Sequence, residues 1–244
     1  MKVLSIDLDY IVDSKFEIYD DKLFNSNCFV RWENYFEFFP FSEEDLKINE
    51  SNLIYCYSTF LKSIKNCDKV SFGYDHDSIL YDIADSDNID IINIDHHDDF
   101  FHGFYRTMSD DLDFTNRLEY RNLSEYNSVS EGNWGAWLNS KGKLNSFTWI
   151  GNHYSENKIR NEINQNYCKN YNNFEKEDYN FKDYNFDRIF VCLSPSYLPK
   201  NHWHYFSMFI IAYENFWGKN AVIHNQKYET YIRYKEYSEK IIKR

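Results

Sequence analysis

Short runs of β-branched and aliphatic residues recur along the chain, each giving way to polar residues: KVLSIDLD (2–9), KVSFGYDH (69–76), IDIINIDHH (89–97), SFTWIGN (146–152), RIFVCLSP (188–195) and AVIHN (221–225). These predict strands. Between them lie stretches that read as helices. The stretch 41–65 carries apolar residues at helical spacing in its second half, and Ser42 followed by Glu43, Glu44 and Asp45 offers a cap with negative charge in the first turn. Further helices are predicted at 77–86, 128–139, 201–217 and 228–242. The segment 153–186 is polar, Asn-rich and weakly periodic, and reads as a short helix followed by a surface excursion. Strands alternating with helices predict a three-layer α/β/α fold around a mostly parallel sheet. With no internal repeat and no linker rich in Pro, Gly or Ser, residues 1–244 are expected to form a single domain.

Composition narrows the class of partner. A formal net charge of −12 argues against a nucleic acid, whose phosphates select clustered Lys and Arg. Five cysteines, scattered and without a CxxC pair, indicate neither a disulfide framework nor a thiolate zinc site, so the reducing cytoplasm is the expected compartment. The opening MKVLSIDLDY carries acidic residues where a signal peptide would be apolar, and no stretch reaches the roughly 18 apolar residues of a membrane span, so no membrane partner is expected. Aromatic residues make up 20% of the chain. Either the whole composition is biased, or a groove lined with rings grips a peptide. Composition does not separate the two.

The chemistry concentrates at strand ends, where ligands bind in an open α/β sheet. The first predicted strand ends in Asp7 and Asp9, the second in Asp75 and His76, the third in Asp95, His97 and Asp99. On an extended chain, residues i and i+2 point to one side, so each set can aim at one point, and His96 is turned away as a supporting or packing residue. Converging carboxylates repel unless a cation neutralises them. Four carboxylates and two imidazoles (Asp7, Asp9, Asp95, Asp99, His76 and His97) suit two Mn²⁺ or Mg²⁺ ions better than Fe²⁺, Co²⁺ or Zn²⁺. Such a pair generates a hydroxide nucleophile at neutral pH.

At these residues the chain resembles a family. Asp95-x-His97-x-Asp99 is similar to the D-A-H-x-D signature of the arginase and ureohydrolase superfamily, Gly73-Tyr74-Asp75-His76-Asp77 to its G-G-D-H-S element, and Ser5-Ile6-Asp7-Leu8-Asp9 to its S-x-D-x-D element. That last element ordinarily closes the chain; here it opens it, so the motifs are permuted, and Asp13 falls one position late for the usual continuation. Tyr74 replaces the second Gly of its loop. This placement, with SEGNWGAWL (130–138), WIGN (149–152) and LSPSYLP (193–199), resembles the arginase-like family that includes the peptide arginases, which convert arginine side chains of ribosomally made precursor peptides to ornithine and release urea. The resemblance implies one arginase-like catalytic domain with two Mn²⁺ ions, Asp95 and Asp7 bridging, His76 and Asp99 completing one ion and His97 and Asp9 the other. A guanidinium needs carboxylates or carbonyls around it and a proton donor for the leaving amine. Glu131 is the candidate cation contact, and His102 or His153 the candidate proton shuttle. Asn133, Trp134 and Asn152 are candidates for holding substrate backbone, or else turn and core residues. The partner implied is an arginine-containing precursor peptide; free arginine as the substrate, and a homo-oligomeric state, stay open.

Three alternatives remain. The Asp95-His96-His97 string also resembles the Mn²⁺-dependent phosphoesterases named for that tripeptide, but those carry a histidine shortly before their D-x-D and a Gly-rich second domain, both missing here. In phosphatases of the haloacid dehalogenase type the nucleophile motif is D-x-D-x-T, and Ile11 stands where that Thr belongs. A catalytically inactive peptide-binding relative is the non-enzymatic alternative.

Overall fold

The central strand shows how the sheet is organised. In a computed structural model, which describes residues 1–12, 46–100, 129–152, 164–165 and 168–225, β1 (Lys2–Asp7) is buried at every position after the first. A strand buried on both faces belongs inside a parallel sheet covered by two layers. β1 pairs in parallel with β3 (Ile89–Ile94) on one side and with β6 (Phe186–Cys192) on the other. With β2 (Cys67–Gly73), β4 (Leu144–Gly151), β5 (Tyr171–Glu175) and β7 (Val222–His224), these form a seven-stranded, all-parallel sheet in the order β5-β4-β3-β1-β6-β2-β7.

Alternation along β1 divides the core in two. Leu4 and Ile6 pack with Cys56 and Phe60 of α1 (Glu50–Ser63) and with Phe206 and Phe209 of α4 (His204–Trp217). Val3 faces the opposite layer, which holds Leu80 and Ile83 of α2 (Leu80–Ile83) and Trp134 and Leu138 of α3 (Trp134–Ser140). The fold is therefore a three-layer α/β/α sandwich, as the alternating pattern predicts. Ser5 and Asp7 follow Val3 at intervals of two and so share the α2/α3 face. Register then aligns the strand ends: Asp7 of β1 and Gly73 of β2 both sit opposite Cys192 of β6, and Ile6 sits opposite Ile94 at the end of β3.

Several boundaries differ from the expected ones. The chain leaves β1 at Asp7 and turns into a 3₁₀ helix over Leu8–Ile11, because the Asp7 side chain accepts from the Asp9 N–H and caps that turn. α1 starts at Glu50, capped by Asn49 through the Asn52 N–H; the cap expected at Ser42 lies outside the described residues, as does the helix expected at 228–242. Within 153–186, expected to be a surface excursion, Tyr171–Glu175 forms the edge strand β5. Its polar, Asn-rich sequence carries no strand period, and pairing with β4 supplies the order that local propensity lacks. No helix among the described residues is long and apolar enough to cross a membrane.

Candidate metal centre

The ends of β3, β1 and, across β6, β2, with the loops leaving them, build one buried polar cluster on the α2/α3 side of the sheet. Asp7 ends β1 at 3% exposure, and the turn that its Oδ1 caps (Asp9 N to Asp7 Oδ1, 3.1 Å) brings Asp9 back to the same level, 4% exposed. Beyond β3, Asp95 accepts the His97 backbone N–H at 2.8 Å through Oδ1 and the Asn93 amide at 3.2 Å through Oδ2. The Asp95 carbonyl accepts the Trp149 indole N–H from β4 at 2.9 Å. Asp99 adopts a left-handed backbone (φ 52°), a strained conformation for a residue with a side chain. Contacts from α3 hold it: the Gly135 N–H donates to its carbonyl at 3.1 Å and the Trp134 indole N–H to its Oδ2 at 2.6 Å. Gly135 is required there, because a Cβ would come within 2.9 Å of the Phe100 and Phe147 rings.

His76 reaches the cluster from a 3₁₀ turn just beyond β2. Its ring is 1% exposed, stacked on Phe190 (centroids 6.1 Å apart) and flanked by Trp134 (5.0 Å). Gly73 makes room for this arrangement, since a Cβ on it would sit 2.6 Å from the Phe190 ring. The His76 Nδ1 lies 2.8 Å from Asp99 Oδ2, 3.0 Å from Asp7 Oδ2 and 3.1 Å from Asp95 Oδ2. It is aligned for a hydrogen bond with none of them. One nitrogen can give one proton to one acceptor. Three carboxylate oxygens gathered around it are arranged as ligands of a cation would be.

A second group lies beside the first and closer to solvent. His97 Nδ1 is 2.9 Å from Asp9 Oδ2, and the His97 side chain is 33% exposed. The rim is aromatic: the rings of His96 and Tyr197 each lie 4.8 Å from that of His97. His96, expected to be turned away, donates its backbone N–H to Asp9 Oδ1 at 3.4 Å. Asp7, His76 and Asp95 form one set whose ligand atoms lie within 4.8 Å of one another; Asp9, Asp95 and His97 form another. Asp95 is common to both, and Asp7, also expected to bridge, falls in the first set only.

The electrostatics show what the cluster lacks. Burial pushes Asp7, Asp9 and Asp99 above the usual carboxylate range, and neighbouring carboxylates add to the rise at Asp7 and Asp9. Asp95 is pushed up to about 7 by burial and by Asp99 and Asp7. Burial opposes charge on the histidines, but Asp99 and Asp7 outweigh it at His76, raising it well above its ordinary value, and Asp9 outweighs it at His97, which rises to about 10. Protons are thus held in the cluster in place of other positive charge. Buried hard oxygen donors with imidazole nitrogens can hold a metal ion, and among the described residues no Lys or Arg forms an ion pair with these carboxylates.

All six residues expected to be metal ligands are brought together. Asp75, noted with His76 at the second strand end, is half-buried and opens the 3₁₀ turn. Trp134, read as a candidate for holding substrate backbone or else as a core residue, is fully buried and its indole N–H donates to Asp99. Asn133 accepts the Ser130 N–H at 2.7 Å and shapes the turn before α3. Asn152, 3% exposed, donates to the Tyr10 carbonyl at 3.4 Å and so ties the end of β4 to the turn after β1. Glu131 is half-buried in the turn preceding α3. His102 and His153 lie outside the described residues. Sequence reasoning missed Ser194, whose hydroxyl donates to Asp7 Oδ2 from a left-handed backbone (φ 47°), and Ser5, whose Oγ is 2.6 Å from His76 Nε2. Ser5 was detectable as a lone hydroxyl in an apolar strand, two residues before Asp7; a serine's positive φ leaves no trace in sequence.

No protein-family model, curated protein or solved structure matches this chain significantly.

Proposed function

We propose that the protein is a metal-dependent hydrolase of the ureohydrolase type, acting on arginine side chains of a peptide to give ornithine residues and urea. The observation that carries the metal reading is Asp95, a buried carboxylate common to two adjacent ligand sets and supported by its own hydrogen bonds. Arginine as the substrate rests on the three motifs around Asp7, His76 and Asp95. A cation-binding pocket of clustered carboxylates is also the surrounding a guanidinium requires.

In this reading Asp7, His76 and Asp95, with Asp99 beside them, hold one ion, and Asp9, Asp95 and His97 hold the other; the oxygen-rich set favours Mn²⁺. When bound, such a pair supplies a hydroxide nucleophile at neutral pH. The chain's own residues set where the reaction takes place. The first set is closed off by Trp134, Phe190 and the sheet, so substrate approaches from the His97 and Tyr197 rim. Addition of water to the guanidinium carbon and cleavage of its bond to the side-chain nitrogen releases urea, and the departing amine takes up a proton. Glu131 remains the candidate contact for the guanidinium, and the proton donor is assigned to His102 or His153.

Mass spectrometry of arginine-containing peptides and of free arginine, each incubated with Mn²⁺-loaded protein, tests the proposal. The expected result is the mass loss that accompanies conversion of arginine to ornithine, with urea released in equal amount. Both should disappear in the double variant Asp95→Ala, His97→Ala, which should also fail to retain Mn²⁺. Unchanged masses in both substrates with metal verified in the protein would exclude the reaction, and phosphate release from phosphoesters would replace it with phosphoesterase chemistry.

A further inference from the structure

We propose that the peptide carrying the target arginine runs along the carboxyl edge of the sheet over two tyrosine rings, Tyr197 and Tyr74, which hold the residues flanking that arginine. The inference rests on the proposed reaction and adds where the substrate beyond its reacting side chain is gripped. Tyr74 stands where the resemblance places a second glycine, and the ligand set makes no use of its ring. It is the first residue after β2, 38% exposed, with Phe206 of α4 beside it at 6.1 Å between ring centroids. Tyr197 is half-buried and lies 4.8 Å from the His97 ring, at the rim by which substrate approaches.

One residue joins the two rings. The Ser194 N–H donates to the Tyr74 carbonyl at 3.0 Å, and the Ser194 carbonyl accepts the N–H of Tyr197 at 2.9 Å and of Leu198 at 2.8 Å. The Tyr74 N–H in turn donates to the His224 carbonyl at 3.2 Å, and the Trp203 indole N–H to that of Leu198 at 2.8 Å. Both tyrosines thus stand on backbone that is already bonded in place, so little order has to be imposed when a ligand arrives. A tyrosine offers a peptide a broad apolar face and a polar tip for the loss of only two torsions. Spacing selects the length of the ligand. His97 follows β3 and Tyr74 follows β2, with β1 and β6 between them, so at the level of the strands the two are roughly 14 Å apart, about four residues of extended chain. A single arginine anchored at His97 reaches Tyr197 and stops short of Tyr74; a longer peptide meets both. The formal net charge of −12 favours encounter with a cationic, arginine-bearing peptide.

Urea release by the Mn²⁺-loaded full chain tests this on two substrates, an extended peptide with one central arginine and the single capped residue Nα-acetylarginine N-methylamide. Wild type should prefer the peptide in kcat/KM by about 10-fold or more, a comparison that needs no variant. Tyr74→Leu keeps an apolar neighbour for Phe206 and removes the ring. It should raise the KM of the peptide by about 5- to 30-fold with kcat close to wild type, the effect of losing one anchoring aromatic contact, and Tyr74→Phe should restore most of the affinity. Tyr197→Leu and Tyr197→Phe should behave in the same way. Equal kcat/KM for the two substrates in wild type, or a Tyr74→Leu variant that matches wild type on the peptide, overturns the role of the rings and leaves the reaction standing. Urea from neither substrate, with Mn²⁺ verified in the protein, overturns the reaction and the peptide track with it.

Discussion

Replacing Asp95 with Asn should change the protein in opposite directions with and without metal. The substitution keeps the shape of the side chain and an oxygen for the His97 N–H, and removes one of four buried negative charges. In the metal-free fold Asp95 is raised from 3.8 to about 7, so ionising it at pH 8 is less favourable in the fold than in the unfolded chain by roughly three pKa units, on the order of 4 kcal/mol. Asparagine avoids that cost. That rise already contains the attraction to His76, whose Nδ1 is 3.1 Å away; the offset comes from the asparagine amide, a polar group that stays buried. A net stabilisation of about 2 kcal/mol is expected, or a rise in Tm of roughly 4–8 °C for a chain of this size. Metal reverses the sign. An ion at a hundred times its Kd stabilises the wild type by about 2.7 kcal/mol, a shift of roughly 5–10 °C. Since Asp95 belongs to both ligand sets, Asp95→Asn should show almost none of it. Thermal unfolding at pH 8 with EDTA and with Mn²⁺, on both proteins, reads all four states. A variant less stable than wild type in EDTA, yet stabilised equally by Mn²⁺, would mean that the cluster is a hydrogen-bonded structural network and that the electrostatic argument is wrong.

Four further outcomes follow from the same structure. Mn²⁺ must displace protons from Asp95, raised to about 7, and from His97, raised to about 10, so affinity measured by titration calorimetry should increase steadily between pH 6 and 9 with protons released; a pH-independent Kd would contradict this. His97, with its pKa raised, contributes stability to the metal-free fold that is fully present below its unfolded value of 6.5 and is lost as pH rises through about 10, which denaturant unfolding of the EDTA-treated protein should detect. Gly73→Ala places a Cβ 2.6 Å from the Phe190 ring that supports His76; it should cost about 1–3 kcal/mol by chemical denaturation and weaken Mn²⁺ binding as well, whereas an effect on stability alone would disconnect Phe190 from the site. Away from the site, Asp82 is bonded to Lys69, Ser71 and His224, which outweigh burial and lower it to about 2. Its contribution is therefore present above its unfolded value of 3.8 and lost as pH falls through about 2, and Asp82→Ala should lower stability at pH 7 by about 3 kcal/mol while leaving Mn²⁺ stoichiometry unchanged.

The candidate metal ligands were legible for a reason only partly borne out by the geometry. Reading Asp7 and Asp9, or Asp95, His97 and Asp99, as alternate positions of extended chain brings each set together on paper. In the fold, β1 and β3 end at Asp7 and Ile94, and turns do the converging: a 3₁₀ turn capped by Asp7, and a loop closed by the left-handed Asp99. The spacing was informative because capped turns and extended chain both return i and i+2 to the same side. Trp134 stayed open between substrate contact and core because an indole beside glycines looks the same in either role; here it is buried and donates to a carboxylate.

What the sequence determined by itself is the kind of fold and the inventory of its chemistry. Apolar runs too buried to face water demand a covered parallel sheet, and the acidic and imidazole residues that close those runs must then gather at one edge of it. Only the tertiary structure decided which of them meet. Strand order sets β3 beside β1 and brings β2 to the far side of β6 from β1, a fact set by crossovers that no local pattern encodes. That order puts Ser5 under His76, Ser194 on Asp7 and Trp134 on Asp99, contacts spanning 71, 187 and 35 residues of chain. Local propensity cannot specify such pairs, because their energies arise only when packing removes water from all of them together.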